Sequence, residues 1–210
     1  MNKNICIYPK DPSTDFLWPL FESICSNGFI GFHLNTNVEE NRIIMFDALN
    51  EAQNIIFLGH GSSGSLYGTP YEGSLPDLVT ADNVKLLEGK RLIILSCNSN
   101  QFCACYNLQP SISFGDMPTG QHDVDSQLEN DPSFPQLEEC DINTYNMALV
   151  RTLTRAILSI DFDDFDRLYS KILLYANAEI SECLLNKPCT RFRDVADLLQ
   201  EFKNECTLRL

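Results

Sequence analysis

The sequence predicts an α/β protein with a mostly parallel central sheet and helices on both faces of that sheet. Five short apolar runs alternate with amphipathic segments in the first 115 residues, which is typical of parallel strands joined by helices. The chain has 210 residues, of which 44% are hydrophobic, and this is enough for one sizeable core. We therefore expect a single domain spanning residues 1–210.

Each predicted strand is an apolar run between polar or glycine positions, and each predicted helix carries an apolar stripe. The first helix ends at Asn27-Gly28, and Thr80 is the predicted N-cap of a later helix that Gly89 ends. In chain order, the predicted strands are 4–9, 29–35, 54–59, 91–96 and 110–115. The predicted helices are 15–27, 37–53, 81–88, 100–108, 144–159, 165–185 and 191–205, and a hairpin is expected after the third strand.

Residues 116–143 have no such periodicity. The segment contains Pro118, Pro132 and Pro135 and is rich in acids, so we predict a long, acidic, Pro-containing loop at about 116–143. Long loops in compact domains are usually functional or disordered. One hypothesis is that this loop is an activation segment, ordered only when a partner or self-cleavage rearranges it.

Composition excludes several classes of function. The net charge of −14 argues against a nucleic-acid partner and against binding to an anionic membrane, and no apolar run approaches the roughly 20 residues that span a bilayer. The apolar run at the N-terminus is too short for a signal peptide, so we expect a cytoplasmic protein with reduced thiols. The nine cysteines form no CxxC pair, and we predict neither a metal site nor a cofactor.

Two reactive side chains follow neighbouring predicted strands. His60 comes directly after IIFLG, and Cys97 comes at the end of RLIILSC. Ligands bind beyond the carboxyl ends of parallel strands, and adjacent strands lie about 4.8 Å apart, so we expect the imidazole and the thiol to face each other. An imidazole beside a thiol favours the thiolate and supplies a proton to a leaving group, so His60 and Cys97 are the predicted catalytic residues. The N–H groups of Gly61 and Cys97 are the predicted oxyanion hole.

The stretches LGHGSSGSLYG and LVTADNVKLLEGKRLIILSCNSN resemble the His-Gly and Ser-Cys motifs of caspase-fold (clan CD) cysteine peptidases, most of all the CHAT branch. The resemblance implies a three-layer caspase-like fold, with His60 as general acid/base, Cys97 as nucleophile and Gly61 in the oxyanion hole. It implies a cysteine-type endopeptidase that cleaves a protein substrate under the control of a regulatory or activating protein. Similar proteases act in bacterial antiviral defence or cell death. A catalytically inactive caspase-like module that binds a partner is the alternative.

Charge also predicts substrate preference. Between Arg91 and Arg151 the chain has no Lys or Arg but has eight acids, so the region after the fifth strand offers no cation for an acidic substrate side chain. We predict cleavage after a basic or neutral P1 residue, with Asp116 as the candidate substrate-binding carboxylate.

Overall fold

A six-stranded, mostly parallel sheet forms the centre of the computed structural model, which describes residues 3–35, 39–159 and 162–210. The strands are β1 Lys3–Pro9, β2 Ile30–Leu34, β3 Ala52–Leu58, β4 Leu66–Tyr67, β5 Asp77–Val79, β6 Arg91–Leu95, β7 Ser111–Ser113 and β8 Thr207–Arg209. The sheet order is β2-β1-β3-β6-β7-β8, and only the pair of β7 and β8 is antiparallel. The expected hairpin after the third strand is formed by β4 and β5.

Helices cover both faces of the sheet and make three layers. The α-helices are α1 Trp18–Ser26, α2 Glu39–Glu51, α3 Ser99–Cys105, α4 Gln121–Asn130, α5 Glu139–Leu158, α6 Phe165–Asn186 and α7 Phe192–Glu205. Alternate strand residues supply two apolar cores, since Cys6 and Tyr8 of β1 join the core with α1, α5 and α7, whereas Ile5 and Ile7 join the core with α2 and α3. The predicted α/β class, with helices on both faces, is confirmed.

The strand order reverses between β1 and β3. The chain runs from β1 through α1 to β2 on one side, and then through α2 on the opposite face to β3 on the other side of β1. In open parallel sheets, the crevice outside the carboxyl ends of the strands at such a reversal is the usual ligand site. The segments that follow β1 and β3 are therefore placed at a position where function is expected.

The prediction of one long loop at about 116–143 is wrong. Gln121–Asn130 forms α4, and α5 already begins at Glu139. Asp123 stabilises the start of α4, because its Oδ2 accepts the N–H groups of Thr119 at 3.0 Å and Gly120 at 2.9 Å. Val124 is fully buried and Leu128 is partly buried against the same core, and two apolar positions are too few to make a recognisable helical stripe in the sequence.

Two further differences are local. The predicted helix 81–88 is reduced to a 3-10 helix, Val84–Leu87, because the side chain of Asn83 accepts the N–H of Thr80 at 2.8 Å and donates to the carbonyl of Leu78 at 3.0 Å, which fixes a turn there. Strand β8 was not predicted.

The start of the predicted helix 37–53 lies outside the described residues. Among the helices of the described residues, none has the length and apolar character needed to span a membrane.

Candidate active site

His60 and Cys97 occupy equivalent positions beyond two neighbouring strands. Parallel strands β3 and β6 pair up to Leu58 and Leu95, and the N–H of Gly59 donates to the carbonyl of Leu95 at 3.1 Å, which extends the pairing by one residue. His60 and Cys97 each lie two positions after that last register pair. The predicted arrangement, in which both residues leave the same edge of the sheet on adjacent parallel strands, is confirmed.

Both side chains line one narrow cavity of about 20 Å³. Most of its other walls are apolar residues of the sheet and the first core, including Leu17, Met117 and Leu149, and Thr14 and Thr119 also line it. This volume holds about one water molecule, so the cavity is closed to a peptide in this conformation. The imidazole and the thiol therefore share a narrow, mainly apolar space, in which each side chain keeps part of its surface exposed.

The Cys97 thiol is held in its protonated form. Its S–H donates to the backbone carbonyl of Met117, with a sulfur-to-oxygen distance of 3.5 Å. Burial raises the pKa of Cys97 to about 12, and the neighbouring carboxylate of Asp116 adds to the effect. Both causes disfavour the thiolate, since an apolar environment and a nearby negative charge destabilise the charged form.

His60 is bound to the segment that follows β1. Its Nε2 lies 2.8 Å from Ser13 Oγ and 3.7 Å from Asp11 Oδ2. Sequence reasoning missed Asp11 and Ser13. The sequence feature that could have identified them is their position in YPKDPSTD, just after the first predicted strand and therefore at the same edge of the sheet as His60. The contact lies between the segments after β1 and β3, where the strand order reverses.

Gly61 fits its position because a side chain would collide with the neighbouring strand end. A Cβ added there would lie 2.6 Å from Ser96 Oγ and 3.1 Å from Ser96 Cβ. Gly61 lies opposite Leu66 in an isolated antiparallel bridge. The hydrogen bonds of this bridge are made by the neighbouring residues: the N–H of Tyr67 donates to the backbone carbonyl of His60 at 3.0 Å, and the N–H of Ser62 donates to the carbonyl of Ser65 at 2.8 Å. In this bridge the N–H of Gly61 itself is not used.

Asp116 lies beside the thiol, and its carboxylate contributes to the raised pKa of Cys97. The side chain is exposed and accepts a hydrogen bond from the Gln127 amide, while its backbone N–H donates to Glu205 Oε2 at 3.0 Å. The predicted substrate-binding carboxylate is thus at the site, although its contacts here are to the protein itself.

One group of possible metal ligands occurs among the described residues. Atoms of Glu138, Cys140 and Asp141 lie within 4.8 Å of one another at the start of α5. The two oxygens of Asp141 already accept backbone N–H groups, from Glu138 at 3.0 Å and from Arg191 at 3.0 Å. The Asp141 carboxylate therefore has a structural role: it caps the start of α5 and holds the segment before α7.

Comparison with models of protein families, with curated proteins and with solved structures found no match to this chain. The site is therefore interpreted from its own residues and geometry.

Proposed function

We propose that the protein is a cysteine endopeptidase that cleaves a protein substrate with a dyad of Cys97 and His60. The observation that carries the proposal is the placement of both side chains at equivalent positions beyond two parallel neighbours, lining one cavity. An adjacent imidazole is the standard means of activating a thiol nucleophile. The resemblance of the two stretches to caspase-fold peptidases adds support and suggests a bacterial defence or cell-death setting.

The proposed reaction runs in two stages. The Cys97 thiol gives its proton to His60 while its sulfur attacks the substrate carbonyl carbon, and the resulting oxyanion is bound by the N–H groups of Gly61 and Cys97. His60 then returns the proton to the leaving amine as the C–N bond breaks, leaving a thioester on Cys97. Water, deprotonated by His60, hydrolyses the thioester and restores the thiol.

The proposal includes a step of opening before catalysis. The cavity of about 20 Å³ does not admit a peptide, and the S–H of Cys97 points to the Met117 carbonyl rather than to an exposed substrate site. Movement of the segment 115–120 away from Cys97 would open the cavity and release the thiol. We propose that a regulatory protein drives this movement, and that the resting chain is latent.

Substrate preference follows from the charge around Cys97. Asp116 lies at the site, and no lysine or arginine lies between Arg91 and Arg151. A carboxylate at the site favours a basic P1 side chain through charge-assisted hydrogen bonds and repels an acidic one. Peptides with Arg, Lys or a neutral residue at P1 are expected to be cut faster than Asp peptides.

A non-catalytic binding module is the second candidate function. The narrow cavity and the pKa of about 12 for Cys97 favour it, because a protonated thiol in a space too small for a peptide is a poor nucleophile. In that case the acidic surface around α4 would bind a protein partner, and Cys97 would be a packing residue.

A peptide with a thiol-reactive warhead and Arg at P1 distinguishes the two functions. In the Glu205→Ala chain, which lacks the acceptor of the Asp116 N–H and should open the cavity, mass spectrometry is expected to find modification at Cys97 that is lost when Cys97→Ala or His60→Ala is added, with an Asp probe reacting more slowly. Exposed Cys105 is the internal control, since its reaction with iodoacetamide should be equal in all variants. Labelling of Cys97 that does not need His60, or no labelling of Cys97 while Cys105 reacts, would favour the binding module.

A further inference from the structure

Two polar side chains that precede α1 form a hydrogen-bonded chain to His60. Ser13 Oγ lies 2.8 Å from His60 Nε2, and the same Oγ lies 2.6 Å from Asp11 Oδ1. The other carboxylate oxygen, Asp11 Oδ2, is 3.7 Å from His60 Nε2. The side chains of His60 and Asp11 are only 24% and 13% exposed, so the contact is partly shielded from water.

Counting protons along this chain fixes the state of the imidazole. The Ser13 hydroxyl has one proton, and an ionised carboxylate can only accept. The short contact of 2.6 Å to a charged acceptor takes the Ser13 proton to Asp11 Oδ1. Ser13 Oγ must then accept from His60, so the neutral ring carries its proton on Nε2 and Nδ1 is left as the basic nitrogen.

The capping role of Asp11 does not account for these contacts. Asp11 is the N-cap of the 3-10 helix Pro12–Leu17, and its Oδ1 accepts the N–H of Ser13 at 2.8 Å. A cap needs only that one acceptor. The hydroxyl of Ser13 between carboxylate and ring, and the second carboxylate oxygen near the ring, are additional features.

We infer that Asp11 and Ser13 are positioning residues of the proposed dyad, which hold His60 with Nδ1 free for proton exchange with Cys97. This inference rests on the proposed function. When His60 accepts the thiol proton, the Asp11 carboxylate near Nε2 stabilises the imidazolium that forms. The two residues act through His60 and do not touch the reacting atoms.

The tautomer of His60 is directly measurable by ¹⁵N NMR of the full chain, which has only three histidines, with His60→Ala for assignment. At pH 8 we expect the wild-type ring to carry its proton on Nε2. In Asp11→Asn, the amide oxygen keeps the Oδ1 position because it must accept the Ser13 N–H, so the new NH2 group takes the place of Oδ2 facing His60 Nε2. Since an NH2 group repels an Nε2–H and can donate to a bare Nε2, the proton of the ring is expected to move to Nδ1. If the peptidase is active, kcat for a peptide substrate should fall about 100-fold with little change in KM.

Three variants separate positioning from folding. Asp11→Ser keeps a capping oxygen but removes the carboxylate and should lose the tautomer preference, whereas Ser13→Thr keeps the hydroxyl and should retain it. Asp15→Asn removes another carboxylate of the same 3-10 helix, one that lies 3.5 Å from the Tyr8 hydroxyl, and should behave as wild type. An unchanged Nε2–H tautomer in both Asp11→Asn and Ser13→Ala overturns the inference. If the tautomer changes but neither labelling of Cys97 nor peptide cleavage depends on His60, the inferred hydrogen bonds are correct and the proposed peptidase function is wrong.

Discussion

Cys97 combines the position of a nucleophile with the surroundings of an unreactive thiol. With a pKa of about 12, only about one Cys97 side chain in 10⁵ is a thiolate at pH 7. His60 is not among the groups that shift the pKa of Cys97, and burial is the largest cause of the shift. In this conformation the partly buried Cys97 thiol is therefore slow to react, and its activation requires a lower pKa as well as access of substrate to the cavity.

Asp116→Asn is expected to increase the reactivity of Cys97. The carboxylate raises the thiol pKa by repelling the thiolate, so its removal lowers the pKa and increases the thiolate fraction at every pH below it. Because Asp116 is exposed and its charge is screened by solvent, the increase should be about two- to tenfold. The rate of iodoacetamide modification at Cys97, followed by mass spectrometry from pH 7 to 10, measures this.

Asp125→Asn is the matched control for that prediction. Asp125 is an exposed carboxylate of α4 that accepts from Gln121 at 2.9 Å, and it is not among the charges that act on Cys97. Its variant should react at the wild-type rate. A slower or unchanged rate in Asp116→Asn would show that this carboxylate does not control the thiol.

At the scale of elements, the ends of β3 and β6 approach so closely that only glycine fits at position 61. The nearest atom to an added Cβ is the Ser96 hydroxyl, which is fully buried and has no hydrogen-bond partner among the described residues. Any shift of Gly61 away from Ser96 would also move His60, the adjacent residue, relative to Cys97. Close packing of the two strand ends therefore sets the separation of the proposed dyad.

Gly61→Ala is expected to destabilise the fold by about 1–3 kcal/mol, the usual cost of overpacking. In a Ser96→Ala background the 2.6 Å contact disappears and the nearest remaining contact is 3.1 Å, so the cost of Gly61→Ala should be smaller. Urea unfolding of the four proteins gives this coupling as a double-mutant cycle. Gly64→Ala, in the same loop with nothing within 4 Å of its added Cβ, should be close to neutral. Additive effects of the Gly61 and Ser96 changes would contradict the proposed contact.

The strands were predictable because burial on both faces leaves a direct mark on the sequence. β1, β3 and β6 are continuous apolar runs, and their parallel pairing follows from the helices between them. α4 was not predicted, since only Val124 and the partly buried Leu128 join it to the core and its start depends on Asp123. β8 is three residues long, and its antiparallel pairing with β7 is a contact between distant parts of the chain that local patterns do not contain.

The proposed dyad was predictable for the same reason as the strands. Once β3 and β6 are neighbours, residues that follow them at equal distances must lie at one edge. Asp11 and Ser13 follow β1, which is also a neighbour of β3, but so do Lys10 and Asp15. Which of these polar side chains reaches His60 depends on how the 3-10 helix turns after β1, and sequence patterns do not specify that rotation.

At the scale of the whole molecule, the helical layer holds the cover of the cavity in place. The segment 115–120 lies over Cys97, and Asn146 of α5 donates to the Thr119 carbonyl at 2.9 Å. Glu205, at the end of α7, accepts the N–H of Asp116, and Gly115 is packed so tightly against Glu205 that it has no room for a Cβ. The same segment is also bonded to Asp123 and Gln127 of α4. Opening of the cavity thus requires the release of the contacts to α5 and α7, with α4 either moving with the segment or losing its bonds to it, and a partner that binds α5 or α7 would be well placed to cause it.

Glu205→Ala tests this coupling, because it removes the acceptor of the Asp116 N–H and should loosen the cover. We expect faster alkylation of Cys97 at constant pH, with a larger gain for a bulky maleimide than for iodoacetamide, since opening relieves a steric barrier as well as burial. Glu201→Ala, one turn earlier on α7, removes the same charge without a contact to the Asp116 N–H and serves as the control. Equal gains for both reagents would indicate a change in thiol pKa alone, and equal behaviour of the two variants would show that α7 does not hold the cover closed.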